Sequence, residues 1–190
     1  EMDDLARTSA LQELTLQGND ALTHLPVFER VAGTMRYVHV QDNAALRTGP
    51  SFPNLVALYD SEALPYMTAE LLFSYNPVLE QIGDYPKLES SSLLTLSLNE
   101  ALTQVSLPSL TSLRWLIVGQ NENLTSLSVA VQQDLSGIVL IDNPLLRELA
   151  LGTSSQTLSQ LILTGNGALA SSARQQLLDL TGPDTLLTLD

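Results

Sequence analysis

Leu107-Pro-Ser-Leu-Thr-Ser-Leu-Arg-Trp-Leu-Ile-Val-Gly-Gln-Asn121-Glu-Asn-Leu-Thr-Ser-Leu127 carries the pattern that decides the fold. Leu116 and Val118 lie five and three residues before Asn121, and Leu124 lies three after it. Residues two apart in a strand share a face, so Leu116 and Val118 point inward from one short strand. Asn121 then sits where the chain turns, and its amide can bond backbone groups that a tight corner leaves without partners. Leu124 re-enters the core.

The same offsets recur at Asn19, Asn43, Asn76, Asn99, Asn143 and Asn166. Ser61 reads as an eighth copy, with Val56, Leu58 and Leu64 at the same offsets and serine in place of asparagine. The anchors are then spaced by 24, 18, 15, 23, 22, 22 and 23 residues. A repeat of roughly 20–29 residues is the range of leucine-rich repeats, in which each turn buries itself only against its neighbours. The two short spacings around Ser61 mark compressed turns and the place where a kink is expected. The residue six after the anchor is often apolar too, as at Leu25, Ile82, Val105, Leu127 and Leu149. Pro77 and Pro144 follow their asparagines directly, which suits a turn and forbids a helix there.

The return limbs read His24-Leu-Pro-Val-Phe28, Gly83-Asp-Tyr-Pro-Lys-Leu88 and Ser106-Leu-Pro-Ser-Leu-Thr-Ser-Leu113. Proline and short apolar alternation favour extended limbs over long helices. Val27–Ala32 and Ala130–Leu135 have room for one helical turn each. Ser171–Leu180 is the best helix, with Ser171 or Ser172 as its cap and Leu177, Leu178 and Leu180 on its apolar side. An open solenoid end exposes core, so this helix is expected to close it. The expectation is a single mainly β domain. It is a right-handed leucine-rich-repeat or single-stranded β-helix solenoid of about eight turns with a C-terminal capping helix. Residues 1–10 form a cap or tail, 11–170 the repeats and 171–190 the C-terminal cap.

Leucine, short strand, asparagine and a second Leu-Pro-x-Leu limb together resemble the receptor L-domain group of leucine-rich repeats, across roughly residues 11–170. That group includes ligand-binding domains of insulin and epidermal growth factor receptors, fungal wall proteins and bacterial surface proteins. The resemblance implies a right-handed single-stranded β-helix with extracellular ligand or surface binding. It implies no catalytic residue, because the group shares none. Receptor members have cysteine-rich ends and this chain has no cysteine, so a bacterial surface member is the better match.

Composition narrows the partners. The chain has 190 residues, a net charge of -13 and 44% hydrophobic residues. Such an acidic chain repels nucleic acid and anionic membrane. No apolar run approaches the ~20 residues of a transmembrane helix. Glu1-Met-Asp-Asp-Leu-Ala-Arg-Thr is acidic and polar and does not read as a signal peptide.

Catalytic and metal chemistry find little support. The two histidines, His24 and His39, have no Cys, His or carboxylate cluster at ligand spacing. No serine sits in a Gly-x-Ser-x-Gly elbow, and Gly165-Asn-Gly167 is a tight turn, not a phosphate loop. No cofactor is expected, and the chain reads as a non-enzyme. Acidic residues adjoin six anchors: Asp20, Glu62, Glu100 and Glu122 after them, Asp42 and Asp142 before. The alternation of sides scrambles a regular calcium site, leaving a solvated acidic edge. Asn123-Leu-Thr125 matches a glycosylation sequon on an exposed corner and is read as a chance match.

Function is therefore expected on the outward strand positions, six, four and two before each anchor. These include Tyr37 and His39, then Leu55, Ala57 and Tyr59, and then the apolar series Leu93, Trp115, Ile117, Val139, Ile141 and Ile162. Stacked strands lie about 4.8 Å apart, so the later residues should merge into one patch, with Trp115 as its anchor. The expectation is a secreted or cell-surface module that binds a protein or glycan through this face. The alternative is a structural or self-associating scaffold of a cell surface.

Overall fold

Alternation of buried and outward residues runs through the strands that precede the asparagines. In Tyr37–Gln41, Val38 and Val40 are fully buried while Tyr37, His39 and Gln41 are half-buried on the other side. A computed structural model describes residues 7–59, 69–152 and 156–190. Parallel strands stack turn on turn into a mainly β solenoid of about seven turns, with one helix near the C-terminal end of the described residues.

The main stack runs through β1 (Glu13–Gln17), β3 (Tyr37–Gln41), β5 (Glu70–Ser74), β6 (Ser90–Ser97), β8 (Ser112–Gly119), β10 (Gly137–Ile141), β12 (Gln160–Thr164) and β13 (Leu186–Leu189). Its register matches the repeat: Leu94 pairs with Leu116, Leu116 with Ile138 and Ile138 with Leu161, all fully buried. The return limbs are extended, as their prolines require. Three of them form a second parallel sheet of β7 (Gln104–Leu107), β9 (Ser126–Val129) and β11 (Glu148–Leu151), which turns Val105, Leu127 and Leu149 into the core.

Asparagine makes the corner work. Asn43, Asn76, Asn99, Asn121, Asn143 and Asn166 are fully buried. In each rung from Asn43 to Asn143, Nδ2 donates inward to backbone carbonyls. Asn121 Nδ2, for example, reaches Leu96 O at 2.9 Å and Gly119 O at 3.1 Å. Asn121 also donates from its backbone N and from Nδ2 to Asn143 Oδ1, at 3.2 and 3.1 Å. The other rungs repeat this, so the asparagines form one ladder running toward the C-terminal end.

The ladder corrects the eighth copy. Asn43 donates directly to Asn76 Oδ1 at 3.0 Å, so no rung stands between them. Ser61 and Leu64 lie outside the described residues. The 33-residue step from Asn43 to Asn76 is one turn, nine residues longer than the 24-residue step before it. The extra length enters in mid-strand. β2 (Ala32–Met35) and β3 are two halves of one rung, and β4 (Asn54–Leu58) pairs with β2 while β5 pairs with β3. Both β4 and β5 then meet the long strand β6. Thus β4 and β5 are halves of a single rung, separated in sequence by residues 59–69. Spacings of 18 and 15 are an insertion that imitates two short turns, and the expected kink is instead a rung with an interruption.

The same correction moves side chains. Leu55, expected outward, is fully buried beside Leu58, and Val56 is only half-buried. β4 takes its register from β2, where it shifts between Gly33 and Thr34. The two possible helical turns are also absent. Ala32 begins β2, and Gln133 bridges to Ser112.

One helix, α1 (Ser171–Asp179), occupies the last return limb and buries Ala173 and Leu177. Its N-cap residue is Ala170, with no side-chain cap bond, so neither Ser171 nor Ser172 serves as the cap. The chain goes on into β13, where Leu187 and Leu189 hold the inward register of Leu161 and Leu163 yet are 44% and 45% exposed. No helix among the described residues is long and apolar enough to cross a membrane.

In the first turns the return limbs stack aromatics. Phe28 and Phe52 are parallel with centroids 4.6 Å apart, and Tyr85 tilts against Phe52 at 5.9 Å. The Tyr85 hydroxyl is buried with no hydrogen-bond partner among the described residues, and burial pushes its pKa well above the ordinary value. An unpaired buried hydroxyl costs about 1–3 kcal/mol. Tyr85→Phe is therefore expected to raise the thermal midpoint by a few degrees. The buried phenol stays protonated while the unfolded one ionises near pH 10. The wild-type protein must then lose stability as pH rises above about 10, a slope that Tyr85→Phe should reduce. Urea titrations at pH 8 and 11 check both; a destabilised Tyr85→Phe would show that the hydroxyl has a partner.

Candidate functional site

Outward side chains of the main sheet fall into rows fixed by strand register. The row six before the anchors runs Glu13, Tyr37, Glu70, Leu93, Trp115, Gly137, Gln160. The row four before them runs Thr15, His39, Leu72, Thr95, Ile117, Val139, Ile162. Ile141 belongs to the third row, between Gly119 and Thr164.

The face has two chemical halves. In the early turns it is polar and tied together. Arg36 Nη1 and Tyr37 Oη donate to the two oxygens of Glu13, at 2.7 and 2.9 Å. These bonds, Arg36 first, hold the Glu13 carboxyl below the usual carboxylate range. The Tyr37 phenol is pushed up by burial and by its bond to Glu13. Its ring stacks on His39, centroids 4.4 Å apart. His39 Nε2 lies 3.2 Å from Glu70 Oε2, an ion-pair distance without hydrogen-bond alignment. Thr95 Oγ1 donates to the other oxygen of the buried Glu70 at 2.8 Å. Among the described residues no three acidic, histidine or cysteine groups are placed to hold a metal ion.

Later turns are apolar. Leu93 pairs with Trp115, and Ile117, Val139 and Ile162 follow one another across three adjacent strands. Each is half-buried, because neighbouring rungs cover one another's flanks. Trp115 does not stand up as an anchor. Its six-membered ring lies across Gly137 of the next strand, where an added Cβ would come within 2.0 Å of Cζ3. The missing side chain gives the ring its bed.

Of the sequence-expected residues, Tyr37, His39, Leu93, Trp115, Ile117, Val139, Ile141 and Ile162 lie on this one face, and Leu55 does not. Tyr59 is exposed at the end of β4, where its hydroxyl donates to Gln12 at 3.5 Å. Sequence reasoning missed Glu70 and Leu72, which bridge the polar and apolar halves. Their offsets of six and four before Asn76 were the available signal. Comparison of the chain with family models, curated proteins and solved structures finds no match, so the chemistry of this face rests on its own residues.

Proposed function

We propose that this protein is a non-enzymatic binding module, secreted or displayed at a cell surface, which recognises a protein or glycan through the outward face of its long sheet. One observation carries the reading: the apolar run Leu93–Trp115 and Ile117–Val139–Ile162 crosses adjacent strands on a face that is polar in the first turns. Contiguous apolar surface of this kind marks interaction sites. A flat indole among aliphatic side chains suits packing against a sugar ring or an apolar side chain. The likeness of the repeats to receptor L-domains supports the extracellular setting, and the charge of -13 argues against nucleic acid.

Replacing Ile117 and Val139 together by threonine keeps β-branched strand formers while placing hydroxyls in the patch. Binding to immobilised glycans and to candidate extracellular proteins should weaken at least about tenfold, with an unchanged thermal midpoint. Equal binding by the variant and the wild type would sink the sheet-face reading.

A second reading, a self-associating scaffold of a cell surface, is favoured by β13. Its Leu187 and Leu189 are 44% and 45% exposed among the described residues, and exposed apolar strand surface invites pairing. Light scattering separates the two. A mass that rises with concentration and returns to monomer in the Leu187→Ser, Leu189→Ser variant selects the scaffold.

A further inference from the structure

The residue just before every ladder asparagine has a positive φ: Gly18, Asp42, Tyr75, Leu98, Gln120, Asp142 and Gly165, between 52° and 66°. The chain thus turns the same way at each corner, and the residues before and after each asparagine form two rows side by side along the solenoid. Tyr75, 56% exposed, and Leu98 come from the first row; Ala44, Pro77 and Pro144 come from the second. They line two concavities of about 330 and 230 Å³ that share Leu98 and Glu100, making one groove across six turns.

Carboxylates line the same groove. Asp20 and Asp42 stand at one end, Glu100 in the middle, Glu122 and Asp142 at the other. None forms an ion pair with a basic side chain among the described residues. In sequence the acids alternate between the two sides of the asparagine, which argued against a site. In the fold both sides of the asparagine line one groove, so acids from either position share it. The acids do not converge tightly enough for a metal ion, so the complementary ligand is extended and carries several positive charges. Six turns span about 24 Å at the strand spacing, the length of roughly seven extended residues.

We propose that this corner groove binds an extended basic peptide segment, with an apolar or aromatic side chain of that segment seated over Tyr75 and Leu98. The surface is separate from the sheet face.

The test uses a fluorescein-labelled peptide, Lys-Lys-Phe-Lys-Leu-Lys-Lys, and a control with serine for Phe and Leu, in anisotropy titrations at physiological ionic strength. Burying the two apolar side chains should make the first bind about tenfold or more tighter than the control. Glu100→Gln with Glu122→Gln should weaken it at least fivefold. Asparagine tolerates the left-handed conformation, so Tyr75→Asn with Leu98→Asn should keep the fold and abolish the preference between the peptides. Equal binding of the two peptides, or a preference that survives Tyr75→Asn and Leu98→Asn, overturns the proposal. Displacement by millimolar calcium, unmatched by sodium of equal ionic strength, reassigns the groove to a divalent cation and also overturns it. The Ile117→Thr, Val139→Thr variant should bind the peptide normally; lost binding there would remove the site from the corner.

Discussion

Asn121→Ala should lower the unfolding free energy by about 3–5 kcal/mol, the largest effect expected of any single substitution that leaves the apolar core intact. The side chain is fully buried and does several jobs at once. Its Nδ2 donates to Leu96 O, Gly119 O and Asn143 Oδ1, and its Oδ1 accepts from the backbone N of Asn99 at 3.1 Å. Alanine removes all of these and leaves the Asn99 N–H facing a void. Each buried polar group left without a partner costs about 1–3 kcal/mol. Asn121→Asp should do no better, because a carboxylate cannot donate to the two carbonyls and would face them with a charge. Asn19 is the control: it is exposed, with a ladder neighbour on one side, and Asn19→Ala should cost less than about 1 kcal/mol. Urea denaturation reads both. If Asn121→Ala costs no more than Asn19→Ala, the ladder does not hold the turns together. A reduced denaturant slope would indicate that the stack now opens in two parts, since each turn is supported only by its neighbours.

The second large effect is expected at Gly137. An added Cβ would meet three atoms of the Trp115 ring, at 2.0, 2.4 and 2.6 Å. No small shift of a flat ring relieves three such contacts, so Gly137→Ala must lift the indole off the sheet. Overpacking of this kind costs about 1–3 kcal/mol. Trp115 is the sole tryptophan of the chain, so its emission reports the event directly and should shift to the red. Trp115→Leu combined with Gly137→Ala should recover part of the loss, which makes the pair strongly non-additive. Unchanged emission in Gly137→Ala would show that the ring does not rest there. Because the ring belongs to the proposed binding face, the same variant should also weaken ligand capture.

Inward positions were legible because two independent periods agree on them: alternation within a strand, and recurrence at 22–24 residues. Where an insertion adds length, that agreement fails. Residues around Ser61 offered Val56, Leu58 and Leu64 at the right offsets, yet Asn43 bonds straight to Asn76 and Leu55 is the buried residue. A single chain cannot tell a short turn from an interrupted one when both satisfy an apolar pattern. The left-handed corner was also out of reach. Tyr75 and Leu98 have no intrinsic preference for positive φ, which costs such residues about 1–2 kcal/mol, and the ladder on either side imposes it. The acidic groove stayed hidden for the same reason, since its walls come from positions that look unrelated until the corner is folded. By contrast, the bed of Trp115 was within reach: Gly137 lies 22 residues on, at the same offset of its own copy.

The interrupted rung between β4 and β5 has a consequence for how such a chain can diversify. The step from Asn43 to Asn76 is nine residues longer than the step before it, yet the bonds between the two asparagines keep their ordinary lengths. Segment length at that point is therefore decoupled from the periodicity that builds the core. Sequence can therefore be lengthened or shortened there by recombination without shifting a single turn of the stack.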